Sequence, residues 1–157
     1  MEALIDPVDY QFIEKELNIE KFLRVSRMGK NEIYEVNGIT SPFTMNEIGR
    51  LRELTFRHAG GGTGASKDID QFDIKKNGYE QLIVWDPQNK CILGGYRFRS
   101  FDKDIKIDIN QLATGEVYNL SEEFQNEYLQ HSIDLGRAFI MPLFQTKQKR
   151  KSLYILD

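Results

Sequence analysis

Two apolar runs on either side of a four-residue turn constrain this chain more than any other feature. In "YEQLIVWDPQNKCILGGYRFRS" the runs at 82–85 and 92–98 flank "DPQN", a reversal signal built from aspartate, proline and asparagine. The segment predicts a β-hairpin. Period-two alternation puts Arg97 and Arg99 on the face opposite Tyr96 and Phe98. Gly94 and Gly95, in mid-strand, predict a bulge or a close backbone approach.

Helices and further strands surround the hairpin. Residues 6–17 predict a short helix with Asp6 as cap and Pro7 in the first turn. "EKFLRVSR" and "NEIYEVNG" predict two strands around the turn "MGKN". "SPFTMNEIGRLRELTFRH" predicts a longer helix, with Thr44 and Glu47 as a capping box and Met45, Ile48, Leu51 and Thr55 at helical spacing. A polar stretch at 101–116 leaves room for a short strand. "SEEFQNEYL" predicts an amphipathic helix capped by Ser121, and "SIDLGRAFIMP" a buried strand ended by Pro142. A basic loop, "FQTKQKRKS", comes after it.

Composition narrows the function classes. The 157 residues are 40% hydrophobic and 29% charged, as in a soluble globular protein of one domain. No apolar run approaches the roughly 20 residues that span a bilayer, and the acidic N-terminus lacks the basic start and apolar core of a signal peptide. A cytoplasmic location is the expectation. Cys91 is the single cysteine, which excludes an internal disulfide framework and a multi-cysteine zinc site. The net charge of −3 argues against nucleic acid as a partner.

The stretch "RHAGGGTGASKDIDQFD" invites a ligand-binding interpretation, and most versions of it fail. A P-loop or a dinucleotide fingerprint needs a strand before its glycines, whereas these come after a helix. A calcium loop fails because Phe72 and Asp73 stand at the wrong positions. A flexible surface loop remains open. Arg52 bears on the choice: it lies between Ile48 and Phe56 on an apolar i, i+4 row, so it needs a carboxylate, and Asp68, Asp70 and Asp73 are close in sequence. In "IDLGRAF", Asp134 and Arg137 would point to opposite faces of a regular strand. A bulge at Gly136 would re-aim them and free a backbone N–H. Such charges pair with one another or with a ligand.

Together these residues resemble the GNAT acyltransferase superfamily, in the branch of acyl-homoserine-lactone synthases and hemolysin-like amino-acid-lipid N-acyltransferases. The matching pieces are Arg52 and Phe56 in "LRELTF", Asp70 and Asp73 in "DIDQFD", Arg97 in "GGYRF", and Asp134 with Arg137 in "DLGR". Four motifs in order over 44–145 make the resemblance specific. It implies an α/β (α+β) fold with a mostly antiparallel sheet flanked by helices. Residues 1–42 would form a family-specific N-terminal helix and hairpin. Residues 43–157 would form the first half of a GNAT core, ending in the helix after the fourth core strand.

The implied activity is transfer of a fatty acyl group to the amino group of a small amino acid, as in glycine and ornithine lipids. Acyl carrier protein or acyl-CoA would be the donor, with no permanently bound cofactor and no metal. Asp134 would be the base, with Asp73 second, and Arg97 and Arg137 would hold the aspartates or the acceptor carboxylate. Arg52, Phe56, Asp70 and Asp73 would form the acceptor site or a structural ion-pair network. Gly136, Gln145, Lys147, Lys149, Arg150, Lys151 and Ser152 would meet the donor, the basic run suiting either an acidic carrier protein or an anionic inner-membrane surface. Two departures stand out. Asp134 is one methylene shorter than the family glutamate, and the synthases' first-loop tryptophan is absent. Alternatives are a CoA-dependent acetyltransferase of a small amine, or a non-catalytic domain that binds carrier protein or membrane.

Overall fold

The structure, a computed structural model, describes residues 1–101 and 108–145. Five strands lie in sequence order, each antiparallel to the next: β1 (Phe22–Val25), β2 (Glu32–Val36), β3 (Glu80–Asp86), β4 (Cys91–Ser100) and β5 (Ile133–Ile140). Helix α1 (Tyr10–Glu16) precedes β1, while α2 (Pro42–His58) and the single turn α3 (Gln71–Ile74) separate β2 from β3. The mixed architecture and the hairpin agree with expectation.

Helix α2 supplies one wall of the apolar core. Its predicted stripe Met45, Ile48, Leu51 and Thr55 is buried, and its apolar members pack on Tyr34, Val36, Ile83, Trp85, Ile92 and Phe139 from one face of the sheet. Burying each aliphatic side chain contributes on the order of 1.5–3 kcal/mol. The predicted capping box does not form, because the helix starts at Pro42 and Thr44 is already inside its first turn. Glu16 of α1 does the capping instead: its carboxylate accepts the N–H groups of Phe43 (3.1 Å) and Thr44 (2.7 Å) and the Thr44 hydroxyl (2.7 Å). Glu47 turns to Arg50 and the Val8 N–H. Helix α1 likewise starts later than predicted, since Asp9, not Asp6, supplies the cap by accepting from the Gln11 N–H.

Both features expected of Gly94 and Gly95 are present. The β3–β4 register slips by one residue beside Gly94, and a Cβ at Gly94 or Gly95 would collide with the carbonyl of Phe139 or Leu82. Strand β5 corrects the prediction of a buried strand. Among the described residues it forms the sheet edge, paired with β4 alone, and only Phe139 on it is buried. An apolar run reads the same whether one or both flanks are covered.

The stretch before β5 holds no strand among its described residues. It folds into tight turns at Ile109–Gln111 and Thr114–Glu116. Ser121 does accept the Phe124 N–H at 3.2 Å, but the turn it caps is a π-helix, Phe124–Tyr128, with no buried residue.

Candidate active site

The glycine loop is a built structure. Glu53, fully buried on α2, accepts the Thr63 N–H and hydroxyl (2.9 and 2.8 Å), the Gly64 N–H (2.8 Å) and Arg57 Nε (2.7 Å). Burial pushes the Glu53 carboxyl up, but these four donors outweigh it and hold it at about 2. Gly62 must be glycine here: its φ is 101°, and a Cβ would meet Arg57 and Glu53 at 3.0–3.3 Å. The N-terminus straps the loop from outside, with Glu2 accepting from Ser66 N–H and donating its own N–H to the Gly64 carbonyl. Neither Glu53 nor Glu2 was legible as a loop anchor, since nothing in a helical or terminal glutamate announces a partner so far along the chain.

The loop delivers three aspartates to three arginines. Arg52 Nη1 lies 3.1 Å from both carboxylate oxygens of Asp73, and the pair is shut from solvent. Gln81 on β3 completes this group, accepting from Arg52 Nη2 and donating to Asp73 at 3.0 Å. Arg97 on β4 pairs with Asp70 at 2.6 Å and with Asp73 at 3.5 Å, its guanidinium lying over the rings of Phe72 and Tyr79. Arg137 on β5 reaches Asp68 (3.4 Å) and Asp70 (3.6 Å).

Three positive charges thus face three negative ones, which lets the cluster be buried. Burial pushes Asp70 up, but the Arg97 hydrogen bond and charge, the Phe72 amide and Arg137 hold it below the ordinary carboxylate range. Asp68 has less help. Burial pushes it up against the pull of Arg137 and Arg52, and its Oδ2 has no hydrogen-bond partner among the described residues.

The bulge expected in β5 is present, and it brings Arg137 but not Asp134 to this cluster. Arg97 stands opposite Gly136 and Gly95 opposite Phe139, so β5 carries one extra residue between them. Arg137 takes the strain, with φ of 54°, a left-handed conformation that costs a non-glycine residue on the order of 1–3 kcal/mol. Gly136 leaves room for Arg97, whose Nε lies 3.3 Å from where a Cβ would stand. Asp134, opposite Arg99, faces a separate group: it accepts from the Tyr79 hydroxyl, from Thr114 Oγ1 (2.5 Å) and from the Thr114 N–H (3.4 Å).

The chain therefore presents a neutral ion network and a triply hydrogen-bonded carboxylate along one bulged strand. The description "Acetyltransferase (GNAT) domain" matches residues 51–154. The chain belongs to the GNAT acetyltransferase family. Within this GNAT chain, residues 51–154 include all three arginines, all three aspartates and Asp134. Two curated relatives align along all of it: glycine N(alpha)-acyltransferases of Phocaeicola vulgatus, 44% identical, and of Bacteroides thetaiotaomicron, 42% identical. The chain spans about half the length of these relatives, 49% and 48% respectively. No solved structure matches it.

Of the residues singled out from sequence, Arg52, Asp70, Asp73, Arg97 and Arg137 meet in the network. Phe56 packs half-buried against the apolar core instead. Gln145 is exposed and donates to the Ile140 carbonyl at 2.5 Å, at the end of β5. Lys147, Lys149, Arg150, Lys151 and Ser152 lie outside the described residues. Tyr79, Gln81 and Thr114 escaped the sequence. Asp68, named from sequence as a carboxylate within reach of Arg52, forms its ion pair with Arg137. A second feature, a cleft of about 520 Å³, shares no residue with the network. It lies among the N-terminal segment, α2 and the start of β4, with Ile13, Leu51, Ile92 and Met141 in its wall.

Proposed function

We propose that this GNAT chain carries the catalytic centre of an N-acyltransferase that moves a fatty acyl group from a thioester to the amino group of glycine. The β5 bulge is the observation that carries this, since it turns Arg137 towards the aspartates on a strand that also bears Asp134. The names of the two curated relatives support glycine as acceptor. The four motifs support the branch of lactone synthases and hemolysin-like enzymes.

Each step needs one group. Asp134 takes a proton from the acceptor ammonium. The freed nitrogen attacks the thioester carbonyl, the N–C bond forms, the C–S bond breaks, and the thiolate leaves with the second nitrogen proton. Arg137, 34% exposed and in only long ion pairs, is the guanidinium available for the acceptor carboxylate. Arg97 is engaged in holding Asp70 and Asp73. The extra residue of a bulge falls outside the strand ladder, so a β5 amide there serves the developing oxyanion.

Acyl carrier protein is the proposed donor, supported by the basic run at 147–151. That run would also place the protein against the inner face of an anionic membrane in the cytoplasm. No helix among the described residues is long and apolar enough to cross one. The second reading is acetyl transfer, the activity in the family's own description, with CoA as the donor. Supplying the chain with palmitoyl-acyl-carrier protein, palmitoyl-CoA or acetyl-CoA, each with glycine or a simple amine, separates the two. Release of the carrier thiol only with long-chain donor and glycine supports the first. Release only from acetyl-CoA supports the second.

A further inference from the structure

Among the described residues, every side-chain or backbone donor to the Asp134 carboxylate comes from another part of the fold. Tyr79, directly before β3 and 1% exposed, donates its hydroxyl proton to Oδ2. Thr114, from the turn before β5, donates its N–H to Oδ2 at 3.4 Å and its hydroxyl to Oδ1 at 2.5 Å. The Tyr79 oxygen accepts the Ala113 N–H at 2.9 Å, which fixes the direction of its own proton. A carboxylate has about four acceptor sites, two on each oxygen. Among the described residues, donors therefore fill both sites of Oδ2 and one of Oδ1.

We propose that Tyr79 and Thr114 are positioning residues that leave Asp134 one proton-accepting site, on Oδ1, for the acceptor ammonium. This rests on Asp134 being the base of the proposed reaction. The proton passes from the ammonium nitrogen to that site, and Asp134 later releases it to solvent.

The arrangement answers the shortness of the side chain. An aspartate holds its carboxylate on a stem one methylene shorter than a glutamate's, and a misplacement of about 1 Å is worth roughly a hundredfold in rate. Two neighbours that fix the carboxylate plane keep a short base aimed. Tyr79 stays a donor throughout, because burial and then the Asp134 bond push its pKa upwards. Among the described residues, charges near this group include Arg99, opposite Asp134 in register, Arg97, 5.0 Å above the Tyr79 ring, and Glu116, in the same turn as Thr114.

Steady-state kinetics of Tyr79→Phe, Thr114→Val and Thr114→Ser, with palmitoyl-acyl-carrier protein and varied glycine, test this. Tyr79→Phe and Thr114→Val should each lower kcat at least about tenfold, with KM for glycine within about twofold, and Thr114→Ser should recover most of the loss. Thr114 lies in a partly exposed turn, so its pair of variants decides the matter even if Tyr79→Phe fails to fold. Unchanged kcat in Thr114→Val, a change in KM alone, or no difference between serine and valine would overturn the proposal. Asp134→Asn separates the two levels. If it retains full activity, or if the unmodified chain turns over no thioester, the underlying reaction is wrong. If Asp134→Asn is dead while Tyr79→Phe and Thr114→Val run at full kcat, only the positioning role is wrong.

Discussion

Arg52 and Asp73 meet in the interior, their side chains 0% and 1% exposed, with Nη1 3.1 Å from each carboxylate oxygen. An arginine on the apolar stripe of a helix is tolerable only on these terms. Its partner arrives on a separate element, and Gln81, the Asp70 N–H and Arg97 are the other partners of that carboxylate.

Breaking this pair from one side should therefore be severe. Arg52→Leu leaves Asp73 with less compensation in a dry site, and a loss of about 3–5 kcal/mol is expected in denaturant unfolding. The double change Arg52→Leu with Asp73→Leu should recover part of that loss, because no unpaired charge remains between those two positions.

Glu53 ties the glycine loop to pH. Its folded value of about 2 lies below the ordinary 4.5, so its contribution is fully present above about pH 4.5 and fades as pH falls towards 2. Glu53→Gln should flatten that part of the stability curve. At neutral pH it should cost about 2 kcal/mol, since it exchanges charged acceptors for a weaker amide. Thermal melts between pH 2 and pH 7 check both.

Gly95→Ala should destabilise more than its small size suggests. The added methyl runs into the Leu82 carbonyl and the Ile83 backbone, and overpacking of this kind costs about 1–3 kcal/mol. Gly60→Ala should act through backbone strain alone, because φ there is 84° and nothing lies within 4 Å. Comparing the two by denaturant midpoint separates collision from conformation.

Arg137→Lys retains the charge and loses the planar fork. If Arg137 receives the acceptor carboxylate, KM for glycine should rise about tenfold with kcat little changed. A fall in kcat at constant KM would assign Arg137 to the aspartates instead.

The range of each interaction decided how far the sequence carried. The hairpin, the α2 stripe and the β5 bulge rest on local patterning and on glycine placement, and all three were legible. So was the need of Arg52 for a carboxylate, because the helical row made its burial visible. The capping of α2 by Glu16 was not, as the donor lies 27 residues from its acceptor. The same holds for Tyr79, which meets Asp134 across 55 residues, and for Thr114, which sits in a turn with no periodic signature. Exposure of β5 was misjudged for a different reason: apolar composition records what a strand can bury, and sheet position decides whether it does.

The most direct test of the central claim is the product itself. Purified chain, palmitoyl-acyl-carrier protein and glycine are combined, and N-palmitoylglycine is measured by mass spectrometry beside the Asp134→Asn variant. N-palmitoylglycine is expected from the unmodified chain, with a fall of about 10²–10⁴-fold in the variant. Equal product from both, or carrier-protein binding with no product from either, would contradict it.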